Sequence, residues 1–212
     1  YRCGACLAKN DDIEVDYVSG IPDSGVAHAI GYSNKKQIPY KRAYVKYTPT
    51  WPRSFMPQSQ VTRDLVARMK LIPIKTLIEN KKIVFCDDSI VRGTQLKDNT
   101  KILFEYGARE IHIRPACPTL IFPCEFLNFS RSRSTLDLAG RKAIKEIDGN
   151  NLDHLNEYAT PGTDRYGAMI EKIRQRIGVT SLKYQKLDDL VEAIGLPKEQ
   201  LCTHCWDGSS GF

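Results

Sequence analysis

The sequence contains no run of about 18 apolar residues, the length that a helix needs to cross a lipid bilayer. Charged residues interrupt its longest apolar stretches, which excludes proteins built from membrane-spanning helices. Nothing near Tyr1 resembles the basic and apolar regions of a secretory signal peptide, and since Tyr1 is not Met we expect that upstream residues have been removed. We therefore predict a soluble protein with no membrane partner.

The seven cysteines are an odd number, in a chain too large to need disulfide bonds for stability. They favour a reducing compartment, and we predict a cytoplasmic protein. The four histidines show no shared spacing of the kind that a metal site requires. The sequence also has no internal repeat.

The charge imbalance is modest, because 31 Lys+Arg against 25 Asp+Glu give a net charge of +6. This excess attracts anions but lies far below the charge density of a dedicated nucleic-acid binder. Trp51 and Phe55 in a basic stretch are compatible with base stacking, but contacts within a hydrophobic loop explain them better, so we expect no nucleic-acid partner. A hydrophobic content of 42% in 212 residues suits one globular domain with a terminal extension.

Short β-prone runs alternate with helical patterns along the chain. A strand over residues 15–21 is followed by a turn and a helix that starts at Val26, and a strand over 83–86 is followed by an amphipathic helix over 95–106 and a strand over 111–114. Strands separated by helices require crossover connections. The pattern predicts an α/β fold with a mainly parallel sheet flanked by helices.

The remaining segments are less regular. Three prolines and the absence of periodicity predict a mobile loop at 46–60, and the polar composition beyond Pro123 predicts an insertion or a disordered excursion. The other predicted elements are a strand over 40–45, helices over 61–71, 166–177 and 186–194, and irregular stretches at 130–134 and 149–167.

Residues 87–94, Asp-Asp-Ser-Ile-Val-Arg-Gly-Thr, are the most informative segment. They follow a strand and precede a helix, where unpaired backbone N–H groups and the positive end of the helix dipole favour an anion. Gly93 permits close approach of the backbone to that anion, and hydroxyl groups add donors. The predicted phosphate-binding residues are Ser89, Ile90, Val91, Arg92, Gly93 and Thr94.

Two adjacent carboxylates, Asp87 and Asp88, come directly before this segment. Buried like charges repel each other unless cations, sugar hydroxyls or other donors compensate them. Mg²⁺ together with a polyhydroxylated, phosphorylated ligand would supply that compensation. A single Asp-Ser pair is equally well explained as a helix N-cap, but the eight-residue string is far more specific.

This string resembles the phosphoribosyl pyrophosphate signature of type I phosphoribosyltransferases, in the version found in the amidophosphoribosyltransferase family. Residues 20–25 are similar to the family's pyrophosphate loop, 53–56 to part of its lid, and 118–124 to its Pro-Cys loop. The resemblance spans nearly the whole chain and is weakest over 127–166. It implies the type I phosphoribosyltransferase fold, with a phosphoribosyltransferase core at 1–148 and a C-terminal extension at 149–212. That extension would combine a polar insertion with helices and end in a Cys-x-x-Cys segment, while the family's N-terminal glutaminase domain is absent from this chain.

The resemblance implies a pentosyltransferase of de novo purine synthesis, which forms 5-phosphoribosylamine from phosphoribosyl pyrophosphate and glutamine-derived ammonia. Asp87 and Asp88 would face the ribose hydroxyls and Mg²⁺, Ser24 would help to hold the metal ion, and Arg53 would close over the site with the lid. The pyrophosphate would be bound by Pro22, Asp23, Ser24 and Gly25. Further implied partners are a glutaminase domain that supplies ammonia, purine nucleotide inhibitors and other copies of the chain in a homo-oligomer.

The sequence departs from the family before Arg53, where Thr50-Trp51-Pro52 stands in place of the usual Tyr-Val-Gly. A rigid proline thus replaces a flexible glycine next to the lid. This departure motivates a non-catalytic regulator of the same fold that binds phosphoribosyl pyrophosphate or a nucleotide. A salvage-type transferase that uses a nucleobase is the alternative enzyme.

Cys202 and Cys205 form a Cys-x-x-Cys near the C-terminus, a motif shared by redox pairs, zinc sites and iron–sulfur clusters. The resemblance implies iron–sulfur ligands, because cluster-bearing family members place one ligand in the Pro-Cys loop and two in such a motif. Cys124, Cys202 and Cys205 match those positions, and a fourth ligand would lie upstream of Tyr1. The tail has too little apolar content to dock strongly by burial alone, so we expect shared ligation to fasten it. Cys3 and Cys6 are expected to be ordinary half-buried thiols of a helix.

Overall fold

The computed structural model describes residues 1–9, 11–46, 71–124 and 135–209. None of the helices in these ranges has the length and apolar composition that a bilayer-crossing helix needs. The helices are α1 (Arg2–Lys9), α2 (Val26–Lys36), α3 (Lys75–Ile78), α4 (Thr94–Glu105), α5 (Ala139–Asp148), α6 (Leu155–Ala159), α7 (Asp164–Ile177), α8 (Leu187–Ile194) and α9 (His204–Asp207). The strands are β1 (Tyr17–Gly20), β2 (Tyr44–Lys46), β3 (Leu71–Pro73), β4 (Lys82–Asp87), β5 (Glu110–Pro115) and β6 (Ser181–Leu182).

A four-stranded parallel sheet with the strand order β1-β4-β5-β6 forms the centre of the fold. In its register Gly20 lies opposite Cys86, and Asp87 lies opposite Pro115. The carboxyl ends of β1, β4 and β5 therefore meet at one edge of the sheet. A separate antiparallel pair joins β2 to β3. The predicted α/β fold with a mainly parallel sheet is confirmed.

Helices cover both faces of the sheet, as an all-parallel sheet requires. On one face, Ile83 and Phe85 of β4 belong to the main hydrophobic cluster together with Leu103 of α4 and Ile173 of α7. On the other face, the alternate residues of β4 pack against α1 and α2, including Tyr32 of α2. The helix after β1 and the helix after β4 thus lie on opposite faces.

The strongly periodic segments fold as predicted. The strands predicted over 15–21, 83–86 and 111–114 are β1, β4 and β5, and the helices predicted over 95–106, 166–177 and 186–194 are α4, α7 and α8. The turn after α4 ends at Gly107, which has a positive φ of +85°. The strand predicted over 40–45 is shorter, because β2 begins at Tyr44 and Tyr40 forms only an isolated bridge with Val18. Leu71 belongs to β3 and not to the helix predicted over 61–71, and residues 47–70 lie outside the described part of the chain.

Of the two alternatives predicted for 149–167, disorder was wrong, because this stretch forms α6 and the first turn of α7, whereas the insertion stays a prediction. Tyr158 of α6 is 1% exposed within the main cluster. Arg165 contacts Asp148 and also pairs with Glu157, Nε to Oε2, at 3.0 Å. One buried aromatic and a network of ion pairs order a segment whose apolar content is low, which a composition-based prediction misses. The companion stretch at 130–134 lies outside the described residues.

The predicted division between residues 148 and 149 does not separate two hydrophobic cores. Strand β6, from the C-terminal side of that boundary, pairs with β5 in the main sheet. Ile144 and Tyr158, from the two sides, belong to the same cluster. The two-part organisation of the chain stays a prediction.

Candidate active site

A cleft of about 650 Å³ opens at the edge of the sheet where β1 and β4 end. Because α2 and α4 leave these neighbouring strands toward opposite faces, a crevice forms between them, and such crevices are the usual ligand sites of open α/β sheets. The cleft brings together most of the residues predicted to bind substrate: Pro22, Ser24, Asp87, Asp88, Ser89, Ile90, Val91, Arg92, Gly93 and Thr94. Asp23 and Gly25 lie in the same turn without lining the cleft.

The β4–α4 loop (residues 88–93) forms one wall of the cleft. Gly93 has φ +74° and stands at the N-cap of α4. Among the described residues, the backbone N–H groups of 89–93 have no protein acceptor. Val91 O accepts a bond from Ala139 N at 2.8 Å, which braces the loop from α5. Unpaired N–H groups at a helix N-terminus are the arrangement that binds phosphate.

The β1–α2 loop (residues 21–25) forms the opposite wall. Ile21 N donates to Cys86 O at 2.9 Å, and Gly25 N donates to Ile21 O at 2.8 Å. A Cβ atom at Gly25 would lie 2.2 Å from Cys86 O, so only glycine allows this turn to pack against the end of β4. Asp23 pairs with Lys46 of β2 at 2.7 Å, Oδ2 to Nζ, which directs its carboxylate toward β2.

The acid pair (Asp87 and Asp88) lies between the two loops. Asp87 Oδ1 accepts a bond from Ser24 Oγ at 3.3 Å and another from Asp88 N at 2.9 Å. Burial, and then the hydrogen bond and negative charge of Asp88, raise the pKa of Asp87 to about 8. None of the described groups that shift this pKa is a cation. A cation placed beside the two carboxylates would favour the ionised form and lower the pKa again.

The oxygen atoms around the acid pair suit Mg²⁺. The oxygens of Ser24, Asp87 and Asp88 are the ligand type that Mg²⁺ prefers, and this ion commonly binds through one or two carboxylates together with water and substrate phosphates. Within the described ranges, no group of three or more His, Cys, Asp or Glu side chains is arranged to hold a metal ion without such help. The residues present therefore fit Mg²⁺ bound together with a phosphorylated ligand.

The C-terminal segment docks beside the predicted Pro-Cys loop. Ile121 N and Phe122 N both donate to Cys205 O, at 3.0 and 3.1 Å. Burial, followed by the neighbouring thiols of Cys124 and Cys202, raises the pKa of Cys205 to about 11. The part of the chain that the structure describes does not arrange these three sulfurs as a metal-binding group. Because an iron–sulfur cluster of this type takes four cysteine ligands, the described residues do not by themselves fit one.

Some residues of the cleft were not predicted, and one predicted residue cannot be placed. Leu71 of β3 and Asn99 of α4 line the cleft. Asn99 stands at a helical spacing from the β4–α4 loop, and this spacing could have predicted its place in the cleft. No local sequence pattern predicts that Leu71 lines the cleft. Arg53 lies outside the described residues. Cys3 and Cys6 lie in α1, as expected.

Comparison with known proteins gives consistent relatives. No family model matches the chain. The amidophosphoribosyltransferase of Methanocaldococcus jannaschii is 36% identical over 207 residues, which cover 98% of this chain and 38% of that protein. The enzyme of the same name from Methanothermobacter thermautotrophicus is 34% identical over 205 residues, covering 97% of this chain and 37% of that protein. The chain thus spans less than two fifths of the length of these relatives.

Solved structures show the same relationship. The glutamine phosphoribosylpyrophosphate amidotransferase from B. subtilis, complexed with ADP and GMP, matches with a TM-score of 0.72 at 29% identity, over 98% of this chain and 40% of that chain. A structure described as the allosteric regulatory enzyme of purine biosynthesis matches with a TM-score of 0.73 at 28% identity and the same coverages. Over almost its whole length the chain is therefore similar in sequence to one part of the amidophosphoribosyltransferases, and it shares the type I phosphoribosyltransferase fold.

Proposed function

We propose that the protein transfers the phosphoribosyl group of phosphoribosyl pyrophosphate to ammonia, forming 5-phosphoribosylamine and pyrophosphate in purine synthesis. The observation that carries this proposal is the meeting of three features in one cleft: the β4–α4 loop, the acid pair and the β1–α2 loop. Phosphoribosyl pyrophosphate has a phosphate at one end, a diol in the middle and a pyrophosphate at the other end. The order of the three features matches the order of those groups.

Each feature has a distinct role in the proposal. The N–H groups of the β4–α4 loop bind the 5′-phosphate, the acid pair binds the ribose hydroxyls, and the β1–α2 loop with Ser24 binds the pyrophosphate. Ammonia then displaces pyrophosphate at C1 through an oxocarbenium-like transition state, so no covalent nucleophile is needed. Catalysis in this scheme comes from positioning and from fixed charges and dipoles.

A divalent cation completes the charge balance of the proposed site. Asp87, Asp88 and Ser24 would hold Mg²⁺ together with the pyrophosphate. When bound, Mg²⁺ supplies positive charge that stabilises the departing pyrophosphate. Ionisation of Asp87 is needed for that contact, and its pKa of about 8 means that the ligand-free carboxyl is mostly protonated at pH 7. Substrate binding at neutral pH should therefore release a proton.

Further properties follow from the relatives and are proposed with the activity. A glutaminase domain would supply ammonia, and Arg53 would close over the departing pyrophosphate. The B. subtilis relative was solved with ADP and GMP, which supports purine nucleotides as ligands of this protein too. A cytoplasmic location, a homo-oligomer and an iron–sulfur cluster in the full-length protein stay predictions.

The proposal is tested by measuring pyrophosphate release from phosphoribosyl pyrophosphate with Mg²⁺, first with ammonium and then with each nucleobase. We expect release with ammonium alone, and loss of release in Asp88→Asn but not in the control Asp98→Asn, an exposed carboxylate on α4 outside the cleft. Release with a nucleobase alone would support a salvage transferase. Binding without release would support a non-catalytic regulator, and absence of binding would refute the site.

A further inference from the structure

Among the described residues, the ion pair of Asp11 and Arg114 is almost completely buried and lies outside the cleft. Arg114 of β5 donates two hydrogen bonds to Asp11, from Nε to Oδ2 at 2.5 Å and from Nη2 to Oδ1 at 3.0 Å. The two side chains are 2% and 4% exposed. Burial raises the pKa of Asp11, but Arg114, the hydroxyl of Tyr32 and the charge of Lys183 together hold that pKa below its ordinary value. Asp11 is therefore ionised at neutral pH.

The pair connects two elements that carry different parts of the proposed site. Tyr32 of α2 donates from its hydroxyl to Asp11 Oδ2 at 2.7 Å, and α2 begins directly after the β1–α2 loop. Arg114 lies opposite Cys86 in the register of β5 with β4, next to the acid pair. Its Nη1 also donates to Ser181 Oγ of β6 at 3.0 Å. Arg114 thus links β5 to β6 directly, and it links β5 to α2 through Asp11.

Stability alone does not account for such a pair. Removing two ions from water costs about as much as their attraction returns, and well-packed apolar replacements are often neutral or stabilising. The pair does supply direction, because the planar guanidinium fork pairs with both carboxylate oxygens in one orientation. Arg114 therefore fixes Asp11, and Tyr32 with it, relative to β5.

The position of the β1–α2 loop relative to the acid pair depends on the position of α2. The first residue of the loop is bonded to the end of β4 through Ile21 N and Cys86 O, and its last residue, Gly25, packs against the same oxygen and leads directly into α2. Among the described side chains, the loop meets the acid pair through the bond from Ser24 Oγ to Asp87 Oδ1 at 3.3 Å. A substrate that spans both sides keeps its reactive geometry only while this spacing is kept. A displacement of 1 Å can reduce the rate by about a hundredfold.

We propose that Arg114 is a positioning residue for phosphoribosyl transfer. Through Asp11 and Tyr32 it sets the position of α2, and hence of Ser24, relative to the acid pair. The inference rests on the proposed function, since it concerns the alignment of two subsites for one substrate.

The test compares a ligand that spans both sides of the cleft with a ligand that occupies one. In the full-length protein, Tyr32→Phe removes one hydroxyl group and leaves the pair of Arg114 and Asp11 in place. We expect calorimetry to show an affinity for phosphoribosyl pyrophosphate with Mg²⁺ that is about tenfold lower, because a misaligned site is less preorganised for a ligand that spans it. Ribose 5-phosphate reaches only the acid pair and the β4–α4 loop. It should bind to Tyr32→Phe with the same affinity as to the wild type.

Two further variants separate positioning from a general loss of structure. Arg114→Lys keeps the charge but loses the fork, and should show the same difference between the two ligands. Tyr158→Phe removes the hydroxyl of a comparably buried tyrosine on α6 and should bind both ligands as the wild type does. Unchanged binding of phosphoribosyl pyrophosphate by Tyr32→Phe, or an equal loss for both ligands, would overturn the positioning role. A wild type that binds no phosphoribosyl pyrophosphate would instead refute the proposed function.

Discussion

Replacing Asp87 by asparagine should stabilise the ligand-free protein while it destroys the proposed metal contact. Burial and the neighbouring Asp88 raise the pKa of Asp87 from 3.8 to about 8. Between these values the folded state holds a proton that the unfolded state has lost, so the stability of the wild type falls as the pH rises. Asparagine resembles the protonated acid and does not titrate. The gain in stability from Asp87→Asn should therefore grow with pH.

The size of this gain in stability follows from the pH range between the unfolded and folded pKa values of Asp87. Above pH 5 the folded carboxyl stays largely protonated until the pH approaches its pKa, and each pH unit costs about 1.4 kcal/mol of stability, which gives at most ~4 kcal/mol by pH 8 without screening. Asp87 lines an open cleft, where water and ions screen the charge. We therefore expect Asp87→Asn to gain about 1–2 kcal/mol more over the wild type at pH 8 than at pH 5.

Urea denaturation of both proteins at pH 5 and pH 8, without ligand, measures this difference. Asp98→Asn on α4 is the matched control, because the side chain is exposed and lies outside the cleft. Its free energy of unfolding relative to the wild type should be the same at both pH values. If the gain from Asp87→Asn were also the same at both, Asp87 would be ionised in the ligand-free protein and the electrostatic account of the acid pair would be wrong.

Three further predictions concern the other features of the site. Asp88→Asn should weaken Mg²⁺-dependent binding of phosphoribosyl pyrophosphate by ~1–3 kcal/mol, which is the cost of losing a charged hydrogen-bond partner. Its circular dichroism spectrum should be unchanged. If calorimetry showed unchanged binding, Asp88 would not belong to the site. Gly25→Ala places a Cβ atom 2.2 Å from Cys86 O and should abolish this binding, whereas Gly167→Ala, in α7 with nothing within 4 Å, should stabilise the protein by about 0.5–1 kcal/mol. Full-length protein purified anaerobically should contain iron bound through Cys124, Cys202 and Cys205, and a folded, active preparation without iron would leave them without that role.

The β4–α4 loop is predictable from the sequence because all of its parts are local. A buried strand, a glycine with positive φ and an amphipathic helix follow one another within residues 82–105. Hydrophobic periodicity and helix-terminus chemistry each identify one part, and the order of the parts gives the position of the phosphate site. The same locality explains why the β1–α2 loop is recognisable from its turn residues.

Features that depend on distant residues are not predictable in this way. Asp11 and Arg114 are 103 residues apart in the chain, and neither stands in a pattern that distinguishes it from a surface charge. Leu71 reaches the cleft only because β3 pairs with β2. Tyr158 is similar, since its polar neighbours in the sequence hide its burial in the main cluster. Such contacts arise when the sheet is assembled, and periodicity within one segment carries no information about them.

The docking of the C-terminal segment shows why the predicted cluster needs a chemical test. Its low apolar content led us to expect that shared ligation fastens it, yet protein contacts already do so. Cys205 O accepts backbone hydrogen bonds from Ile121 and Phe122, and the ring of His204 lies 6.0 Å from that of Phe122. The segment would therefore stay docked in a protein without a cluster, because these bonds do not involve the cysteine sulfurs. The presence of a cluster therefore cannot be tested by asking whether the protein folds or whether this segment is ordered. It can be tested by measuring iron content and visible absorption.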